Sequence, residues 1–206
     1  MEIIRAGFND IDIFSKDELD FGGCCFYSED RAFRYFFEIN GCEATVFANT
    51  EQYIFQVIDE FLFYSGFVTL VKNTQGHTLL EKARSEPFLF DIAKIQPSQF
   101  FISEKKLGGC KKWITKPADI FIPVVIKDGI TISLDGHTRM RAALDLGYDA
   151  VYVYTDEYDE SIFHFVNEAI LRKINTVSDM EIISDKEYEI KWNQFCDDLF
   201  SRLESQ

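Results

Sequence analysis

Between Leu134 and Tyr148 the chain reads LDGHTRMRAALDLGY, which gathers an acid, a glycine, a histidine, a threonine and two arginines around one turn. The whole chain holds only 3 histidines, and its 35 acidic residues outnumber 21 basic ones, so the cluster stands out. Its residue types suit the binding of an anion. Gly136 lets the backbone turn tightly and approach a ligand closely. Thr138 brings a hydroxyl and a backbone amide, and Arg139 a forked, permanently charged donor that matches paired oxygens. His137 could donate to a phosphate oxygen if protonated, and Asp135 could hold Mg²⁺ directly or through water. Structural roles compete with each of these: Asp135 can cap a helix, His137 can make a purely structural hydrogen bond, and Arg141 can pair with Asp145 at i, i+4 spacing.

The elements on either side must aim this cluster. ITISL (Ile130 to Leu134) has the alternation and branching of a strand, TRMRAALDLG reads as a short helix closed by Gly147, and AVYVY (Ala150 to Tyr154) as the next strand. A strand that hands over through a polar turn to a helix directs free amide hydrogens, and the positive end of the helix dipole, at an anion. Upstream, IPVVI and ITISL flank Lys127, Asp128 and Gly129, and an Asp-Gly pair between β-branched residues signals a hairpin. Before that, Pro97 punctuates QPSQFFISEKKL, Ser103 is placed to start a short helical turn, and GGCKKW reads as a basic loop. Lys105, Lys106, Lys111 and Lys112 around Gly108 and Gly109 lack Walker A spacing, which favours a solvated loop over a phosphate grip.

Charge narrows the partners. A net charge of −14 argues against gripping nucleic acid, which requires a cationic surface to displace counterions. The balance is −8 over 1–90, +2 over 91–150 and −8 over 151–206, so the only basic stretch contains the cluster. That distribution fits a small anionic ligand. No apolar run reaches membrane-span length, and MEIIRAGFND lacks the features of a signal peptide, which together imply a cytoplasmic protein without membrane attachment. Five cysteines without metal-ligand rhythm are expected to be reduced and mostly buried.

The run Asp135-Gly136-His137-Thr138-Arg139-Met140-Arg141-Ala142 resembles the phosphate-binding turn of the ParB/sulfiredoxin superfamily, where a Gly-x-x-Arg core sits between a strand and a helix. ParB proteins have Gly-Glu-Arg-Arg-x-Arg-Ala there, sulfiredoxins Gly-Cys-His-Arg, and free-serine kinases Asp-Gly-His-His-Arg; the last is the nearest. With IQPSQFFISEKKL and IPVVI in the expected order, the resemblance covers roughly 91–155. It implies a mixed sheet with helices, hence an α/β (α+β) fold, and binding of a nucleotide di- or triphosphate with Mg²⁺. His137 stands where sulfiredoxins carry their catalytic cysteine, which argues against that repair reaction. The acidic tail lacks the helix-turn-helix of a partitioning protein. By the serine-kinase likeness, Glu104 in FISEKKL takes the place of the base toward a substrate hydroxyl, which would make Glu104, Asp135 and His137 a catalytic set.

The rest of the chain frames that core. Residues 1–90 read as a small α+β region rich in phenylalanine. A helix is expected near Asp30 to Glu38, a strand over Cys42 to Ala48, and a helix capped by Thr50 and carrying Ile54, Val57, Ile58, Phe61 and Leu62 inward. Another strand is expected over Phe67 to Asn73. Residues 156–206 read as helices packed on the core: Ile162, Phe165, Val166, Ala169 and Ile170 form one face. A capping box at Ser184 and Glu187 precedes a stripe of Tyr188, Trp192, Phe195 and Leu199. Two functions are consistent with this reading. One is a small-molecule phosphotransferase using a nucleotide; the other is a non-catalytic, nucleotide-responsive or protein-interaction module.

Overall fold

The computed structural model describes residues 1–7, 10–20, 24–83 and 86–204. The chain forms two compact units, Met1–Glu86 and Pro87–Gln206. The fold is a mixed α/β one, in agreement with the sequence.

In the first unit, β1 (Ile3–Arg5), α1 (Lys16–Asp20), β2 (Cys25–Ser28), β3 (Arg34–Asn40) and β4 (Glu43–Ala48) lead to α2 (Ile54–Tyr64), followed by β5 (Leu70–Asn73) and β6 (Thr78–Glu81). The strands lie side by side in sequence order in one sheet. β1 to β4 run antiparallel, α2 carries the chain back so that β5 runs parallel to β4, and β6 returns antiparallel. The helix expected near Asp30 to Glu38 is instead β3. Tyr35 and Phe37 are wholly buried while Arg34 and Glu38 face solvent, a period of two that aromatic residues favour. Thr50 does not cap α2 either: its hydroxyl accepts from the Gln52 amide in the preceding turn, and Tyr53, with φ 59°, opens the helix. Ile54, Val57, Ile58 and Phe61 do point inward, and Phe61 stacks on Phe37 with ring centroids 3.9 Å apart. The second strand is shorter than expected and begins at Leu70.

The second unit begins with β7 (Phe88–Asp91), β8 (Ile95–Gln96) and β9 (Phe101–Ser103), then α3 (Glu104–Trp113), β10 (Phe121–Lys127) and β11 (Ile130–Ser133). α4 (His137–Asp145), β12 (Ala150–Thr155), α5 (Ile162–Leu171), β13 (Glu181–Ile183), α6 (Asp185–Tyr188) and α7 (Gln194–Glu204) follow. The main sheet has the order β7-β12-β10-β11-β8, and β13 and β9 form a separate parallel pair. β10 lies at its centre, antiparallel to β11 and parallel to β12. The β10–β11 connection is the expected hairpin: Asp128 and Gly129 have φ 52° and 78°, the positive values a twisted two-residue turn requires. β7, which the sequence division assigns largely to the first region, pairs with β12.

GGCKKW is not a loop. It completes α3, whose N-cap Ser103 accepts from the Lys106 amide. The capping box at Ser184 and Glu187 forms as expected. The aromatic stripe after it packs inside this unit, with Trp192 and Phe195 edge-on to Phe100 at 5.1 and 4.9 Å between centroids. Ile122, Val124, Met140, Ala142, Ala143, Val151 and Val153 are all completely buried, so α4 is fixed against β10 and β12 by its apolar face.

Candidate functional site

The turn that joins β11 to α4 is set by one glycine. Gly136 has φ 86°, a left-handed conformation that L side chains rarely adopt. A Cβ there would stand 2.5 Å from Ile122 Cδ1 and 3.0 Å from an Arg139 nitrogen, so the absence of a side chain lets the turn lie on the core and on the guanidinium. Glycine also leaves α4 without a side-chain cap, and its first backbone bond runs from the Met140 amide to the Gly136 carbonyl. The start of the helix is thus available to an external acceptor.

Arg139 lies over this turn with its side chain only 12% exposed, and donates to the Asp135 carboxylate at 3.0 Å. Asp135 is itself exposed. Dehydration by the surrounding protein works against its charge, but the Arg139 guanidinium, the Gly136 amide and, further off, Lys106 hold its carboxyl below the ordinary value. Arg141 pairs with Asp145 at 3.1 Å, as its spacing suggests, and Lys111 reaches the same acid at 2.6 Å. The first pair lies within α4, whereas Lys111 comes from α3 and ties the two helices together. Thr138 is half-buried on the first turn.

His137 is the unexpected member. The sequence allows a protonated ring at the surface, yet the ring is 3% exposed, and burial pushes its pKa down to about 4 despite the attraction of Asp135. It is neutral at physiological pH. The Ser98 amide donates to Nε2 at 3.1 Å, and the hydroxyls of Ser133 and Ser98 stand 2.9 and 3.3 Å from the same atom. Ser98 and Ser133 are themselves buried, and the Ser98 hydroxyl donates to the Ser133 carbonyl at 2.8 Å. Nδ1 is buried and has no hydrogen-bond partner among the described residues. Ser98 escapes sequence reading because 39 positions separate it from His137, while Ser133, only four positions upstream, reads as an ordinary strand serine. Only the parallel pairing of β8 with β11 brings them together.

Glu104 occupies the first turn of α3, exposed, and makes no hydrogen bond to Asp135 or His137. α3 packs beside α4, and Cys110 and Lys106 on it act electrostatically on the Asp135–Arg139 pair. Burial pushes the Cys110 thiol up to about 11, which keeps it protonated at neutral pH. No group of three or more metal-ligating side chains occurs among the described residues. No helix among the described residues is long and apolar enough to cross a membrane.

No protein-family model matches the chain, and no curated protein matches it in sequence. Among solved structures it is similar to the crystal structure of protein Atu1540 from Agrobacterium tumefaciens, at 18% identity and a TM-score of 0.34. That match covers 47% of this chain and 63% of the other.

Proposed function

We propose that the second unit is a phosphate-binding module of ParB/sulfiredoxin type that takes a nucleotide at the Asp135–Arg139 turn. The observation that carries this reading is the unpartnered Nδ1 of His137, a buried polar atom at the first position of an uncapped helix. A buried polar group without a partner costs about 1–3 kcal/mol, and a ligand oxygen at the helix start would remove that cost. The glycine with positive φ and the largely buried guanidinium of Arg139 support the same site, since both favour close approach of a compact anion. A panel of nucleoside mono-, di- and triphosphates with and without Mg²⁺ in a thermal-shift assay tests it. The binding members should raise the melting temperature of the wild type and not that of Arg139→Ala, because a ligand at ~100 Kd adds about 2.7 kcal/mol to the folded state. No shift with any member would refute the reading.

A second reading, transfer of a phosphoryl group to a small hydroxyl compound, draws support from Glu104, an exposed carboxylate at the start of the helix that packs on α4. Phosphoryl transfer asks a protein mainly to position reactants and neutralise charge, so a base, an arginine and phosphate-borne Mg²⁺ would suffice. It requires nucleotide consumption that depends on a hydroxylated acceptor and is lost in Glu104→Ala. Binding unchanged in that variant, with no consumption in the wild type, would leave the non-catalytic module.

A further inference from the structure

We infer that Ser98 and Ser133 are positioning residues that hold His137 as a neutral ring with its proton on Nδ1, so that the ring is an uncharged, inward donor to one oxygen of the bound anion. The inference rests on the phosphate-binding reading of the turn and specifies how it is achieved.

The argument starts from a group with no choice of role. A backbone N–H can only donate, so the Ser98 amide at 3.1 Å requires Nε2 to be an acceptor, and Nε2 therefore carries no proton. The Ser98 hydroxyl has given its hydrogen to the Ser133 carbonyl at 2.8 Å, and the single hydrogen of the Ser133 hydroxyl has two acceptors in reach, the bare Nε2 at 2.9 Å and the Gln96 carbonyl at 3.4 Å, of which Nε2 is the closer. All three residues are buried, which shields this arrangement from exchange with water. A neutral imidazole whose Nε2 is bare must carry its proton on Nδ1. Nδ1 is the atom without a partner, so the lock on one side of the ring defines an unsatisfied donor on the other. Protonating the ring would set Nε2–H against the Ser98 amide and add a cation beside Arg139. The charged or titratable groups around it are Asp135 and Arg139 on its own turn, Lys106 and Cys110 on α3 and Tyr188 at the end of α6. Among these, Asp135 favours an imidazolium and Arg139 opposes it, and burial decides for the neutral form.

Such a donor selects ligands in a definite way. It accepts an oxygen of a fully ionised phosphate without taking up a proton, so His137 contributes no pH dependence to binding between about pH 5.5 and 8. A phosphate held by an ordinary surface histidine would bind more tightly as pH fell through the ring's titration.

Long-range ¹⁵N correlation spectra of the full-length protein read this directly, with the exposed His77 and His164 as internal controls. The expected His137 pattern is a protonated Nδ1 and a bare Nε2 from pH 5.5 to 8, and added inorganic phosphate should move the Nδ1 resonance. His137→Asn, which offers an amide donor near the Nδ1 position, should keep phosphate affinity within a few-fold. His137→Ala should lose about tenfold or more. Ser133→Ala removes one contact to Nε2 and should bring the ¹⁵N shifts of the two ring nitrogens closer together, while burial and the Ser98 amide keep the ring neutral. A ring protonated on Nε2, or titrating near its ordinary value in the wild type, would overturn the inference. So would phosphate binding, followed separately by ³¹P line broadening, that leaves Nδ1 unmoved, although the phosphate reading would then survive. If phosphate fails to bind while the ring shows the expected tautomer, the phosphate reading fails and the ligand role of Nδ1 falls with it.

Discussion

At the scale of single residues, most of the proposed site depends on Gly136 and His137. Gly136→Ala would place a methyl group against Ile122 and Arg139 in a backbone conformation hostile to L side chains. A loss of about 1–3 kcal/mol in denaturant unfolding is expected, together with weaker anion binding from a displaced guanidinium. His137 should leave a mark on stability versus pH. Its folded pKa, about 4, lies below the ordinary 6.5, so the unfolded chain takes up a proton first as pH falls. The stabilisation is complete well above pH 6.5 and declines toward pH 4, by on the order of 3 kcal/mol in total. Urea unfolding at pH 7, 6 and 5 should show this decline in wild type and a flatter profile in His137→Asn; parallel profiles would refute it. The Asp-Gly-His-Thr-Arg run is legible in sequence because its members are adjacent. The serines that contact Nε2 of His137 are not, since neither Ser98 nor Ser133 has a neighbour that distinguishes it from a loop or strand serine.

At the scale of elements, the errors of sequence reading share a cause. Asp30 to Glu38 has aromatic residues that fit a helix face as well as a strand face, and the alternation of β3 prevails because its backbone pairs with both β2 and β4 while Tyr35 and Phe37 are buried on one face of the sheet. GGCKKW looks like a loop because paired glycines disfavour helix locally. Tertiary packing of Leu107, Cys110 and Trp113 against the core overrides that preference. The β10–β11 hairpin, by contrast, was legible from Asp128-Gly129 alone, because positive φ at both turn positions leaves few residues suitable. α3 therefore carries an avoidable cost. An added Cβ at Gly108 or Gly109 meets nothing within 4 Å, so Gly108→Ala and Gly109→Ala should each stabilise the protein by about 0.5–1 kcal/mol in thermal unfolding. Destabilisation would mean that α3 is not continuous through these residues. Ser103→Ala should cost about 1–2 kcal/mol, because its hydroxyl caps α3 and also donates to Asp185 at the start of α6.

At the scale of the whole molecule, the basic stretch and the proposed phosphate-binding turn fall in one unit with its own core and its own sheet. A fragment spanning 87–206 is expected to unfold cooperatively and to bind phosphate as the full chain does. A fragment that stays unfolded would contradict its autonomy as a folding unit. Composition indicated the acidic character of the flanking segments and the local basic balance, but not the unit boundary, since β7 joins β12 across a separation that no local pattern encodes. The most direct measurement is a crystal structure of the protein grown or soaked with a phosphate-containing nucleotide. The account requires phosphate density at the start of α4, with Arg139 turned to it and His137 Nδ1 within hydrogen-bond distance of one oxygen. A nucleotide bound elsewhere, or an Arg139 that keeps Asp135 and a His137 Nδ1 that touches no ligand, would contradict it.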